Sequence, residues 1–144
     1  MQRTLILLKP DCMQKKICGT VLKRFEEAGF KIIGCKMIKL DLETLREHYA
    51  HIAELPFYPE VEKFMSLTPV IGMVLEGDDI INKMREMLGV TDCLEAAPGT
   101  IRAEFGSKEE GENKMKNVVH ASDSPETAEK EVVRFFSDNE LFEY

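Results

Sequence analysis

The chain lacks both of the compact motifs that cradle phosphate in backbone, since neither GxxxxGK[ST] nor GxGxxG occurs in it. A P-loop and a protein-kinase glycine loop are excluded, so any phosphate must be held by side chains. Basic residues are in deficit, with 19 Lys and Arg against 26 Asp and Glu and a net charge of −7. That balance argues against nonspecific binding to nucleic acid or an acidic membrane, and an anionic ligand would need a local basic pocket. No apolar run is long enough to span a bilayer, and the stretch from Met1 to Lys9 is too short for a signal peptide, so the cytoplasm is the expected location. Cysteine is scarce: Cys12, Cys18, Cys35 and Cys93 show no CxxC spacing, which speaks for reduced thiols rather than a zinc site or disulfide framework. There is no Pro/Gly/Ser-rich linker and no internal repeat, and 144 residues at 44% apolar content suit one domain, 1–144.

What is present is concentrated in Asn117-Val118-Val119-His120-Ala121-Ser122-Asp123-Ser124. Ser124 can cap orphan amides, Pro125 suits the first helical position, and Glu126 complements the positive end of a helix dipole. A helix is therefore expected just past His120. Ala128, Val132, Phe135 and Phe136 form its apolar stripe, and Glu131 falls on that stripe, so its carboxylate should face inward. An inward carboxylate needs a donor. If Glu131 accepts from one nitrogen of His120, directly or through Ser122, the other nitrogen keeps its lone pair and can attack an electrophile. The plainer reading is a half-buried His on a strand end with a tolerated Glu at the stripe's margin.

The periodicity predicts a strand over Thr4 to Leu8 ended by Pro10, a helix bearing Ile17, Val21, Leu22, Phe25 and Ala28 that stops at Gly29, and a strand over Phe30 to Leu40. Leu42, Leu45, Tyr49 and Ile52 keep helical spacing up to Pro56, and Val61, Phe64 and Met65 suggest a short helix before a buried strand over Val70 to Leu75. Asp78 or Asp79 can cap a helix through Ile81, Met84 and Leu88 to Gly89, and Val118 with Val119 gives a last strand. The resulting order, β-α-β-α-α-β-α-loop-β-α, fits an α+β sandwich with helices packed on an antiparallel sheet.

Between Gly89 and Asn117 little periodicity remains, and a loop of that length is usually functional or disordered. Thr91, Pro98-Gly99-Thr100 and Arg102 suit it for holding phosphate oxygens, while Gly106 to Lys116 is charged and reads as a solvated excursion. Phosphoryl transfer needs cations placed around spreading negative charge. Lys9 at the end of a buried strand, Arg85 beside an apolar stripe, and Arg102 are the candidates, each also explicable as an ordinary surface cation. Phe57 could stack on a base without reading its identity. His48 and His51 are three apart, but with no third ligand nearby a metal pair is not expected, and His48 is expected to pack beside Leu45 and Ile52.

The block from Asn117 to Ser124 resembles the active-site signature of the nucleoside diphosphate kinases, in which Asn, two apolar residues, His, Gly, Ser, Asp and Ser follow in order. Only Ala121 departs, standing where Gly is usual. The likeness extends through Leu7-Leu8-Lys9-Pro10-Asp11, His48-Tyr49, Pro56-Phe57, Arg85-Glu86-Met87-Leu88-Gly89 and Pro98-Gly99-Thr100-Ile101-Arg102. It implies a ferredoxin-like βαββαβ sandwich on a four-stranded antiparallel sheet and a ping-pong reaction. The terminal phosphoryl group of a nucleoside triphosphate, bound with Mg²⁺, would pass to Nδ1 of His120 and then to a nucleoside diphosphate. Glu131 would orient His120 with support from Ser122, and Tyr49 would lie close to the ring. Asn117 would hold the sugar hydroxyl and Lys9 the ribose and phosphates. Arg85, Thr91 and Arg102 would grip the phosphates, and Phe57 would stack on the base. No protein metal ligand is implied, and a homo-oligomer, hexameric or tetrameric, is. Leu55 replaces a usual basic residue, so one phosphate contact is missing or supplied elsewhere. Ala121 would be strained if its φ is positive and harmless if it is negative. These two departures are the hints toward a catalytically weak, nucleotide-binding regulatory relative. An RNA-binding module on a similar sheet is disfavoured by the acidic charge.

Overall fold

From Thr4 to Leu8 the chain is apolar without alternation apart from its first residue, which is the pattern of a strand covered on both faces. These residues form the buried part of β1 (Gln2–Leu8). In the computed structural model, which describes residues 1–108 and 116–144, β1 pairs antiparallel with β3 (Val70–Gly77) on one side and β4 (Val119–Ala121) on the other. β2 (Lys31–Ile38) pairs antiparallel with the far side of β3, giving the sheet order β2-β3-β1-β4. This is the ferredoxin-like order, with the first strand central.

Alternate residues of β1 enter two separate cores. Leu5 and Leu7 pack with Leu45, Tyr58, Val61, Phe64, Val132 and Phe135, from α3 (Leu42–His48), α4 (Tyr58–Met65) and α7 (Pro125–Phe135). Ile6 and Leu8 pack with Cys12, Val21, Phe25, Met84 and Ile101, from α1 (Pro10–Gln14), α2 (Cys18–Glu27), α5 (Ile80–Leu88) and α6 (Ile101–Phe105). Helices thus cover both faces of the sheet. A register shift between Ile32 and Gly34 bends β2 where the C-terminal segment crosses it. A Cβ on Gly34 would sit 2.9 Å from Leu141 Cδ2 and 3.2 Å from the Glu140 carbonyl, so a larger residue there would have to displace the crossing segment.

Several local expectations need correction. Pro10 ends β1 but also opens α1, where its missing N–H costs nothing. The helix read through Tyr49 and Ile52 stops at His48, with Tyr49 as its C-terminal cap and Ile52 in the following turns. Asp79 stands at the N-cap of α5 in a left-handed conformation (φ 53°), and its carboxylate accepts from Asn82 Nδ2 rather than from a backbone amide. The stretch after Gly89 contains α6, capped by Thr100 Oγ1, which accepts from Ala103 N at 3.3 Å. Of the charged excursion, residues 109–115 lie outside the described residues; its ends, Ser107 and Lys116, exchange backbone hydrogen bonds of 2.9 and 2.8 Å.

Candidate active site

β4 is three residues long, and its register sets the site: Leu7 faces His120 across the β1–β4 pair, and Lys9 N donates to the Val118 carbonyl at 2.8 Å. The end of β1 and the start of β4 therefore bring Lys9, Asn117 and His120 together. Between them Val118 is buried at φ 61°, a conformation costing a β-branched residue about 1–3 kcal/mol. Asp11 holds the turn in place: its buried carboxylate accepts from Val118 N at 2.9 Å. Asp11 carries no catalytic signal in sequence, yet it supports the backbone on which His120 stands. Ala121, by contrast, is not among the positive-φ residues, so the Gly-to-Ala departure brings no strain.

On α7, Ser124 Oγ accepts from Thr127 N at 3.1 Å, as the capping pattern predicts, and the helix turns Glu131 back toward β4. Glu131 is buried, with its oxygens 3.2 Å (Oε1) and 3.0 Å (Oε2) from His120 Nε2. Ser122 Oγ accepts from Leu5 N at 3.0 Å and donates to Glu131 Oε1 at 2.6 Å. The direct contact and the Ser122 contact therefore coexist. Burial pushes the Glu131 carboxyl up, but the His120 bond and charge, then Ser122 and His48, outweigh it and leave its pKa below the ordinary value. An ionised Glu131 accepts from Nε2–H of His120, so in the neutral ring the lone pair lies on Nδ1.

His120 opens into a cleft of about 760 Å³ that Lys9, Tyr49, Arg85, Thr91, Arg102, Asn117 and Glu131 also line. Five Lys and Arg (Lys9, Arg85, Arg102, Lys130, Arg134) stand there against four acids (Glu47, Glu86, Asp123, Glu131), reversing the sign of the chain as a whole. Lys9 has its pKa pulled down to about 8, chiefly by burial, with Arg102 adding and Asp11 opposing. Arg102 is tied at both ends of its fork, Nη1 to the Gly89 carbonyl at 3.1 Å and Nη2 to the Val119 carbonyl at 3.0 Å. Burial lowers its pKa as well. Gly89 is needed there, because it turns at φ 86° and a Cβ would meet Thr100 Oγ1 at 2.6 Å. Asn117 is buried with its side-chain carbonyl unpartnered among the described residues. Phe57 and Leu55 do not line the cleft; they lie 44% and 43% exposed at the approach to α4.

His48 is a site residue that the sequence reading missed. Its ring reaches the site, with its centroid 4.6 Å from that of His120 and its Nδ1 3.0 Å from Arg134 Nη1. Its position at the last turn of α3 places it there, and Arg134 lies one turn beyond Glu131 on α7; the spacing of Glu131 and Arg134 was the available signal. Donor atoms of His48, His120 and Glu131 fall within 4.8 Å of one another, a grouping that could close on a cation. In this geometry hydrogen bonds from His120 and Ser122 to Glu131 and from Arg134 to His48 occupy it. His51 is not part of that grouping. No described helix is long and apolar enough to cross a membrane.

A family model described as nucleoside diphosphate kinase matches residues 2–141. A nucleoside diphosphate kinase of Rhodopirellula baltica is 44% identical over 144 residues, covering 100% of this chain and 91% of the relative. Among solved structures, the Aquifex aeolicus nucleoside diphosphate kinase superposes with a TM-score of 0.89 at 44% identity, over 98% of this chain and 99% of the other. That of Halobacterium salinarum, in complex with CDP, gives 0.90 at 36% identity, over 99% and 92%. With His120 lining a cleft that holds more bases than acids on this fold, these likenesses support the enzyme and not a catalytically weak regulatory relative: the chain belongs to the nucleoside diphosphate kinase family, phosphotransferases that move the terminal phosphoryl group of a nucleoside triphosphate to a nucleoside diphosphate.

Proposed function

We propose that the transfer runs in two half-reactions through Nδ1 of His120. The Nδ1 lone pair attacks the terminal phosphorus, the bond to the bridging oxygen breaks, and the nucleoside diphosphate leaves with that electron pair. A second diphosphate then attacks the phosphohistidine and restores the bare nitrogen. The observation that carries this reading is the commitment of Nε2 to Glu131, at 3.0 Å from Oε2, which leaves only Nδ1 free. Glu131, held by Ser122, steadies the imidazole and the positive charge it gains as the phosphoryl group arrives.

Lys9, Arg85, Thr91 and Arg102 grip the phosphates in this reading, Lys9 and Asn117 reach the sugar hydroxyls, and Tyr49 closes the cleft beside the ring, all supported by their shared lining of it. Phe57 stacks on the base, supported by its exposed ring. Mg²⁺ would be supplied with the substrate, where its charge would offset that of the phosphates. The only grouping of potential ligands among the described residues is two imidazoles and a carboxylate already hydrogen-bonded, whereas Mg²⁺ prefers oxygens and water. One domain, residues 1–144, is supported by the sharing of β1 between both cores. A cytoplasmic location fits four free cysteines, and a homo-oligomer, hexamer or tetramer, fits the exposed Met37, Leu42, Val90 and Leu94.

The test is intact-mass measurement after incubation with Mg·ATP, followed by addition of GDP. One acid-labile phosphoryl group, transferred to GDP to give GTP and absent in His120→Ala, is expected. Turnover by that variant at the normal rate would end the proposal.

A further inference from the structure

Arg134 is a cleft cation that the phosphoryl-transfer reading leaves without a task. Its Nη1 lies 3.0 Å from His48 Nδ1, and its Nε is 3.4 Å from Glu47 Oε1. A guanidinium has donors only, so His48 Nδ1 must be the acceptor and the proton of that ring sits on Nε2. The same Nδ1 lies 3.6 Å from Glu131 Oε2, the oxygen nearer to His120 Nε2. A proton on His48 Nδ1 would therefore make His48 a rival for the carboxylate on which the nucleophile depends.

We propose that Arg134 is a positioning residue for the phosphoryl transfer: by donating to Nδ1 it fixes His48 as the Nε2–H tautomer and keeps Glu131 committed to His120. The inference rests on the reading of His120 as nucleophile. The groups facing the His48 ring agree with it. Glu131 and Arg134 approach from α7, His120 from β4, Lys9 from the end of β1 and Tyr49 from the end of α3, with Phe135 closing the apolar side. Burial, then His120, Arg134 and Lys9, hold the His48 pKa down to about 3 against the pull of Glu131. The ring stays neutral wherever the enzyme works. Among those influences Arg134 alone both repels a proton and occupies the nitrogen that would bind it.

The test compares wild type, Arg134→Met, Arg134→Lys, His48→Gln and the His48→Gln/Arg134→Met double variant. Single-turnover phosphorylation by Mg·ATP is measured against pH, together with KM for Mg·ATP and ¹⁵N histidine spectra. In wild type the spectra should show His48 neutral with its proton on Nε2. In Arg134→Met the His48 proton should move in part to Nδ1 and compete for Glu131, so the whole rate profile should drop by about tenfold with KM unchanged. Arg134→Lys should restore it at least in part, and Arg134→Met should add no further drop in the His48→Gln background. A raised KM with an undiminished profile would make Arg134 a phosphate-binding cation and overturn the proposal, as would an undiminished profile with unmoved KM. Should Arg134→Met fail to fold, the wild-type spectra still decide, since a proton on His48 Nδ1 contradicts the contact. Wild type that forms no phosphoenzyme at any pH would strike the assignment of His120 instead, and the spectra would judge the Arg134–His48 contact separately.

Discussion

Lys9 and Glu131 carry opposite charges into the cleft and are shifted in ways that can be measured separately. Burial brings the Lys9 pKa to about 8, so its ammonium is present below that pH and lost above it. Bound phosphates would favour the charged form and raise the value again. Nucleotide affinity should therefore be flat below about pH 8 and fall with rising pH toward the ordinary lysine value of 10.5, by no more than about tenfold per pH unit for one proton. Calorimetric titration with a nonhydrolysable triphosphate, together with Lys9→Met, checks this; a fall of the same size in the variant would assign the proton to another group. In the proposed mechanism Glu131 serves chemistry rather than affinity. Glu131→Gln keeps an acceptor for Ser122 Oγ but presents an amide to His120, which can draw the ring proton to Nδ1 and remove the nucleophile. The rate of phosphoenzyme formation should drop roughly 100-fold while the dissociation constant for the triphosphate stays within about threefold. A collapse of affinity would show that Glu131 shapes the cleft instead.

The helix that presents Glu131 was readable because its signals are local: Ser124 as cap, Pro125 at the first position, and a stripe whose one polar member is the candidate residue. Ser124→Ala should cost about 1 kcal/mol in urea unfolding, since it orphans the Thr127 amide, and Thr should largely restore it. Equal stability of the Ala variant would mean that the amide finds water at no cost. β1 was readable for the same kind of reason, its buried run being visible in five residues. What escaped was set by contacts distant in sequence. His48 turns into the site because α3 ends there, and its partner Arg134 is 86 residues away. Asp11 stands in the sequence only as the end of the Leu7–Asp11 motif, and nothing local reveals that its carboxylate holds Val118 N, 107 residues on. α6 is too short for periodicity to register and depends on Thr100 and the anchored Arg102. Phe57 and Leu55 stand away from the cleft lining, so their motif was visible while their relation to the site was not.

At the scale of the whole molecule, β1 lies in both cores, so the site and the fold share their central strand: Leu5 and Leu7 pack against α7 while Leu7 sets the register of His120. Unfolding therefore releases His48 and Glu131 together, and stability inherits their titration. His48 has its pKa lowered to about 3 in the folded chain from 6.5 when free. As pH falls below 6.5 the unfolded chain binds a proton that the folded chain refuses, so stability drops steadily until pH approaches 3. Glu131 acts in the same direction at lower pH, because its folded pKa is depressed and its contribution is lost as pH falls from the ordinary carboxyl value of 4.5 through the folded one. Between pH 7 and about pH 5 only His48 of this pair contributes, and its share should be of order 2 kcal/mol. Urea unfolding of wild type and His48→Gln at the two pH values measures it. The wild type should lose more stability than the variant over that interval. If both lose the same amount, His48 takes up its proton in the folded chain without penalty, and the neutral, Arg134-held ring is not the state that folding selects.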